Sequence, residues 1–296
     1  MPTPLDELPI RPLTPRDLLS CVALAVDRGW PPDERKWRLL LTAGNGFGID
    51  EPSGAGLAGA CVLTRYGTPG AGPGQELSAV GMLLVATAYE RQGLGGRLMR
   101  HILGEADGAP LALYATRFGQ GLYERLGFVT AGQNVTVKGR LRLSPSSGDP
   151  SPAGVTVRTA TAEDLPAVAG LDAEVFGVDR TLMITRLPAF AEQLRVAVDG
   201  SAIIGFGALW SSASADVIGP LVARDTATAK ALIASLADAT HRPLRTDIDA
   251  RHEHLLAWLK EQGMDAVLTT PLMVRDIPAL PGDPERRYAP LTMATC

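Results

Sequence analysis

The chain has 296 residues, 46 % hydrophobic and 20 % charged, with a formal net charge of −4. That is globular rather than disordered, and long enough for two domains that each bury a core. The slight acidity, with no basic run, excludes a nucleic-acid patch. No apolar run is long enough to span a bilayer, and the start, MPTPLDELPI, lacks a signal peptide's basic end and apolar core. A cytoplasmic protein without nucleic-acid or membrane partners is expected.

In chain order, Ile10–Leu13 predicts a short strand. Thr14 then caps a helix over Pro15–Asp27, with proline at its first position. Trp30–Leu41 reads as a second helix, and Gly46–Glu51 and Leu57–Arg65 as a hairpin about a Pro-Ser-Gly-Ala-Gly turn. Gly67–Gln75 is a Gly/Pro-rich loop. The unbroken apolar run Val80–Ala86 has the length of a buried strand. It leads through a glycine-rich turn, Gly93, Gly95 and Gly96, into an amphipathic helix carrying Leu98, Ile102 and Leu103 on one face.

Strand, glycine turn and helix start together suit an anion, because the first N–H groups of a helix lack partners and carry partial positive charge. The dinucleotide fingerprint is absent, since Arg97 and Leu98 stand where its third glycine would fall, and so is GxxxxGK[ST]. Further on, the apolar run Leu111–Tyr114 precedes ATRFGQGLYERLGFV, Ala115–Val129, whose Leu122–Phe128 string reads as the end of a helix closed by Gly127 with Phe128 as its apolar partner. Gln133–Leu143 alternates as a strand does, and SPSSGDPSPAG, Ser144–Gly154, is a linker.

After the linker the pattern restarts. Val157-Arg158 with Thr161 and Asp164-Leu165 parallels Ile10-Arg11 with Thr14 and Asp17-Leu18. Leu194–Leu209 is again strand, Asp-Gly turn, strand; Val217–Ala223 is again an apolar strand; and Leu255–Met264 mirrors the helix that ends in Gly127-Phe128. A repeated domain follows, with expected boundaries 1–143 and 155–296 about a linker at 144–154. The copies differ chemically. The second has ARDTATAKAL where the first has its glycines, and Leu259 in the place of Tyr123. Cys21, Cys61 and Cys296 are odd in number and far apart and read as reduced thiols. The close pair His252 and His254 lacks the further ligands of a metal site, so no metal is expected.

The spacing x-x-x-G-x-G at Glu90–Gly95, preceded by Leu83-x-Val85 and Tyr89 and followed by Leu122-Tyr123-Glu124-x-Leu126-Gly127-Phe128, resembles the GCN5-related N-acetyltransferase (GNAT) superfamily. IGPLVARD, TDID, LAWLKEQG and RYAP in the second half, with ATRFGQGLYERLGF in the first, resemble the YitH-like acetyltransferases, which pair a GNAT domain with a degenerate C-terminal one. The resemblance implies an α/β (α+β) tandem GNAT fold with two mixed, mostly antiparallel central sheets flanked by helices. It also implies an enzyme passing the acetyl group of acetyl-CoA directly to a small-molecule or peptide amine in a ternary complex.

In that reading, the backbone of Arg91, Gln92, Gly93, Leu94, Gly95 and Gly96 holds the diphosphate, helped by the side chains of Arg91 and Arg97. Leu83, Leu84 and Val85 pair with the pantetheine amides, Thr116 and Gly119 stand where many relatives carry Asn and Ala, and Tyr123 faces the CoA sulfur as general acid. Glu90 replaces a usual Gln or Arg and is expected to face solvent. Asp276 stands where the subgroup leads one to expect glycine. Gly81 and Met82 offer no base; Glu76, Asp27, Asp33 and Glu34 are the carboxylates in reach. Asp247 and Asp249 would meet a cationic amine if the second domain walls the acceptor pocket. The alternative is a catalytically silent CoA-binding sensor or scaffold.

Overall fold

The computed structural model describes residues 7–68, 75–143 and 152–296, so most of the loop expected at 67–75 and of the linker expected at 144–154 lies outside the described residues. The first half runs β1 (Ile10–Leu13), α1 (Leu18–Asp27), α2 (Glu34–Ala43), β2 (Asn45–Asp50), β3 (Leu57–Gly67), β4 (Glu76–Val85), α3 (Leu94–Glu105), β5 (Leu111–Tyr114), α4 (Gln120–Arg125) and β6 (Val129–Gly139). The second runs β7 (Val155–Thr159), α5 (Leu165–Phe176), α6 (Thr181–Ile184), α7 (Leu187–Phe190), β8 (Gln193–Asp199), β9 (Ala202–Ser211), β10 (Asp216–Ala223), α8 (Thr226–Ala237), β11 (Leu244–Asp249), α9 (Glu253–Glu261), β12 (Met264–Arg275) and β13 (Arg287–Ala289).

The internal repeat is visible in the capping chemistry. The Thr14 N–H donates to Asp17 Oδ2 at 2.8 Å, and the Thr161 N–H to Asp164 Oδ2 at 2.7 Å. Each carboxylate also binds an arginine from the preceding strand, Arg11 and Arg158 respectively. Such a capping box leaves room for only one 3-10 turn, Pro15–Asp17 and Ala162–Asp164, before the α-helix proper, which therefore begins later than the sequence predicts. Likewise Pro31 and Pro32 delay α2 until Asp33, whose carboxylate accepts the Lys36 N–H at 3.2 Å. The helix expected to end at Gly127 is α4 and starts only at Gln120, because the Thr116 carbonyl takes both the Gly119 and Gln120 N–H groups in a turn first.

Among the described residues the strands join in one 13-stranded sheet, ordered β1-β2-β3-β4-β5-β12-β6-β11-β10-β9-β8-β7, with β13 added on β10. The sheet is mixed and mostly antiparallel; the parallel pairs are β4/β5 and β10/β11. The two sheets expected from the sequence are thus continuous. β12 of the second half lies between β5 and β6 of the first, pairing Leu272 with Tyr114 on one side and with Gly132 on the other. β6 in turn pairs along β11 from Gly139 opposite Leu244 to Asn134 opposite Asp249.

Helices flank both faces. In the first half Trp37 and Leu40 of α2 pack on one face, and Leu98, Met99 and Ile102 of α3 on the other. One core crosses between halves: Leu39, Ala43, Tyr66 and Leu77 share it with Val175, Phe176, Leu187, Trp210 and Leu291.

Residues 1–143 expressed alone would leave β5 and β6 without the strand between them, exposing two unpaired ladders and half of a shared core. That fragment is expected to aggregate or to lack a cooperative melt by circular dichroism, and a sharp thermal transition would contradict the exchange of strands.

Candidate functional site

The site starts from a defect in β4. On the β3 side, Ala60 is opposite Leu84 and Val62 opposite Gly81, so two steps along β3 span three along β4. This bulge places Met82 at φ 54, a left-handed conformation that costs a branched or bulky residue free energy. On the other side, pairing with β5 stops after Ser78 opposite Leu111 and Ala79 opposite Ala112. Beyond Ala79 the two parallel strands have no ladder between them, which leaves one edge of Leu83–Val85 without a strand partner among the described residues. An extended polyamide could pair there as an added strand does.

The turn after β4 is tied to α1. The Asp27 carboxylate accepts the Thr87 N–H at 2.6 Å, and Arg28 reaches both Thr87 Oγ1 at 3.1 Å and Glu90 at 2.5 Å. Glu90, half exposed, is therefore paired with Arg28. Arg91 at φ 61 and Gly93 at φ 85 then swing the backbone into α3. Gly93 is its N-cap and supplies no side-chain acceptor, and a Cβ added there would meet nothing within 4 Å. The N–H groups of Leu94, Gly95 and Gly96 accordingly have no side-chain cap among the described residues, at the positive end of a twelve-residue helix. Of the cations nearby, Arg91 is exposed with no ion pair among the described residues, whereas Arg97 Nη2 donates to the Leu8 carbonyl at 2.7 Å. Gln92 Nε2 turns back to the Ala88 carbonyl.

Tyr123 comes from α4, across the gap. It packs in the cluster of Val80, Leu94, Leu98 and Phe128, with Leu83 and Val85 at its margin. Burial first, and then the neighbouring Cys61 thiol, raise its phenol well above the ordinary value. A Cβ on Gly119 would stand 2.8 Å from its Cε2 and 3.3 Å from its Oη, so the absence of a side chain at Gly119 is what admits the ring. Thr116, exposed, contributes the carbonyl that turns the chain into α4. The structure thus gathers Leu83–Val85, the turn from Arg91 to Gly96, Gly119 and Tyr123 about one gap, and ties Arg97 to the segment before β1.

Other expected groups are already engaged. Asp33 caps α2, as Asp27 holds Thr87. Asp247 accepts from Thr136 Oγ1 at 2.5 Å and is paired with Arg245 at 3.0 Å, and Asp249 is paired with Arg251 at 3.1 Å. Asp276 sits at φ 64, the conformation that the glycine expected there would take. His252 Nε2 contacts the Arg287 carbonyl and its ring stacks on Tyr288, while no group of three His, Cys, Asp or Glu side chains suited to a metal occurs among the described residues.

The corresponding place in the second half is filled by the chain itself. β10 and β11 pair over only three positions, Asp216–Ile218 with Leu244–Thr246, and beyond them β13 pairs with β10, Ala289 opposite Leu221. The start of α8 is capped by the Asp225 carboxylate, which accepts the Thr228 N–H at 2.8 Å and puts negative charge where α3 has no side-chain cap. Leu259 is fully buried in the apolar core.

Comparison with known proteins places both halves together. Residues 63–144 and 168–289 each match a family profile described as "Acetyltransferase (GNAT) domain". The uncharacterized N-acetyltransferase YitH of Bacillus subtilis (strain 168) is 29 % identical over 240 residues, 79 % of this chain and 80 % of that protein. A crystal structure from Pyrococcus horikoshii, of a protein assigned as an acetyltransferase, superposes with a TM-score of 0.79 at 19 % identity, covering 99 % of this chain and 98 % of the other. A tandem GNAT protein from the clavulanic acid biosynthesis pathway gives 0.65 at 16 % identity, over 90 % and 98 %. At these identities the structural likenesses establish the fold.

If Gly119 makes room for the ring, Gly119→Ala is expected to displace Tyr123 while the protein stays folded. The tyrosine fluorescence or a crystal structure of the variant should then differ, and an unmoved ring would count against the packing described.

Proposed function

The chain belongs to the GNAT acetyltransferase family, with two such domains in tandem, and we propose that its first half transfers the acetyl group of acetyl-CoA to an amine. The observation that carries this reading is the uncapped start of α3, opening beside the one edge of β4 that has lost its neighbour, with Tyr123 across the gap. The backbone N–H groups from Gln92 to Gly96 would hold the diphosphate with Arg91 beside them, the edge of Leu83–Val85 would pair with the pantetheine amides, and Thr116 and Gly119 would border the arm. Bound there, acetyl-CoA supplies an activated acyl group on sulfur. The acceptor is a small-molecule or peptide amine.

Tyr123 would donate the proton that the departing thiolate needs. A thiolate's ordinary pKa is about 8.5 and a phenol's about 10, so the phenol is the protonated partner at neutral pH. Burial widens that margin, because the phenol is raised further and stays protonated as pH increases. The second half is proposed to bind no coenzyme, since β13 and the Asp225 carboxylate occupy the equivalent strand edge and helix start.

Calorimetry with CoA is expected to give one site per chain, and no binding, or two sites, would defeat this assignment. With acetyl-CoA and a panel of amines, free thiol should appear in an amine-dependent way; CoA binding without it across a broad panel would point to a sensor instead. Tyr123→Phe should bind acetyl-CoA as tightly as the parent and turn over slower by roughly 10²-fold. An unchanged rate would remove Tyr123 from the chemistry. The pH–rate profile of the parent should rise as the amine loses its proton and show no alkaline fall up to about pH 10, where an unperturbed phenol would be half ionised. A falling limb near pH 9 in the folded enzyme would contradict a raised phenol.

A further inference from the structure

The segment that follows β13 leaves the second half and ends against the reacting end of the first. Trp210 Nε1 donates to the Leu291 carbonyl at 3.2 Å. The chain then folds on itself, the Ala294 N–H donating to Thr292 Oγ1 at 3.0 Å and Thr295 Oγ1 to the Thr292 carbonyl at 3.1 Å. Two side chains anchor what comes next. Tyr66 Oη, from β3, donates to the Thr295 carbonyl at 2.7 Å, and Arg180 Nη1 to the Cys296 carbonyl at 3.0 Å. Arg180 is itself 1 % exposed, paired to Asp172 at 2.7 Å and 3.0 Å and laid over the Phe176 ring.

What the segment touches is specific. A Cβ built on Gly81 would stand 2.5 Å from the Ala294 carbonyl oxygen and 2.6 Å from its Cβ, so Ala294 lies directly on the β4 backbone at the residue before Met82. Ala294 belongs to the apolar cluster of Trp37, Leu40, Met82 and Leu84, whereas Tyr123 belongs to the cluster on the opposite face of the sheet. If Tyr123 serves the leaving sulfur on its face, an amine reaches the thioester carbonyl from the other side of the gap, where Ala294 sits.

We propose that segment 291–296 is the acceptor-side wall of the thioester site, so that the second half, through Arg180 and Asp172, sets the size of the amine that fits and keeps water from the acyl group. This rests on the acetyl-transfer reading above. The wall is backbone and small side chains, Ala294 and Thr295, held by three hydrogen-bonding side chains, Tyr66 from the first half and Trp210 and Arg180 from the second, which makes its position independent of any one loop.

Two variants test it: a chain ending at Thr292, which removes Met293–Cys296, and Gly81→Ala, whose new Cβ must push Ala294 away. Each is compared with the parent for CoA affinity by calorimetry, for thiol released from acetyl-CoA without amine, and for the rate ratio of benzylamine to ethylamine. The expected result is parent-like CoA affinity, faster acetyl-CoA hydrolysis, and a ratio moved toward benzylamine by about 10-fold. Folded variants that bind CoA with unchanged hydrolysis and unchanged ratio would overturn the proposal, and so would failure of both to fold, which would leave the segment a purely structural part. Should the parent accept neither amine nor any other tried, the transfer reading fails on its own, while hydrolysis still judges the wall.

Discussion

A backbone ladder holds this molecule together. β12 runs between β5 and β6, and β6 runs between β12 and β11, so two strands from opposite halves are each hydrogen-bonded on both edges by the other half. Since an unpaired buried N–H or C=O costs free energy comparable to a lost hydrogen bond, neither half can complete its sheet alone. The same ladder brings α2 and α5 to one face, where Leu39 and Ala43 meet Val175 and Phe176 in a single core. It also carries β13 and the residues after it back across the first half. The wall proposed for the gap beside β4 and the contact between halves are therefore consequences of one exchange of strands.

On that shared frame the two copies show what filling a cleft does. Both have a pair of parallel strands that separate after a few residues, and a helix that starts close by. In the first copy the separated edge and the helix start are open, Gly93 having no side chain to offer. In the second, β13 takes the edge and Asp225 the helix start. The terminal glycines agree, with φ 86 at Gly127 and φ 87 at Gly263, but the helix before one carries a buried phenol and the other Leu259. The two copies share their backbone geometry, and where the first leaves a strand edge and a helix start without partners among the described residues, the second supplies its own.

The open copy carries backbone strain on either side of Leu83–Val85. Met82 and Arg91, both non-glycine residues with positive φ, flank the stretch that would meet the coenzyme, and each such conformation costs on the order of 1–3 kcal/mol. They persist because β3 pins β4 on either side of the bulge and because Asp27 and Arg28 fasten the following turn to α1. Arg28 also cancels the charge of Glu90, the one residue of the turn whose sign opposes a phosphate.

Much of this was legible in the residues themselves. Local signals determined the elements and their repetition: the Thr14 and Thr161 caps, the glycine turn after Val80–Ala86, the Gly127 stop, and the loss of glycines after Ala223. Each depends on backbone preferences a few residues wide. The helix starts slipped because the capping boxes and Pro31-Pro32 impose a turn first. What no local pattern could convey was strand pairing, since β5, β6, β11 and β12 read as ordinary strands whichever partner they take. Nor could it show that Gly81, a small residue offering no chemistry, is the point where a segment more than two hundred positions away presses on β4, that Arg97 would be drawn to Leu8, or that Asp247 and Asp249 would be met by their own arginines. Those depend on which surfaces remain after the sheet has closed, and only the folded chain decides that.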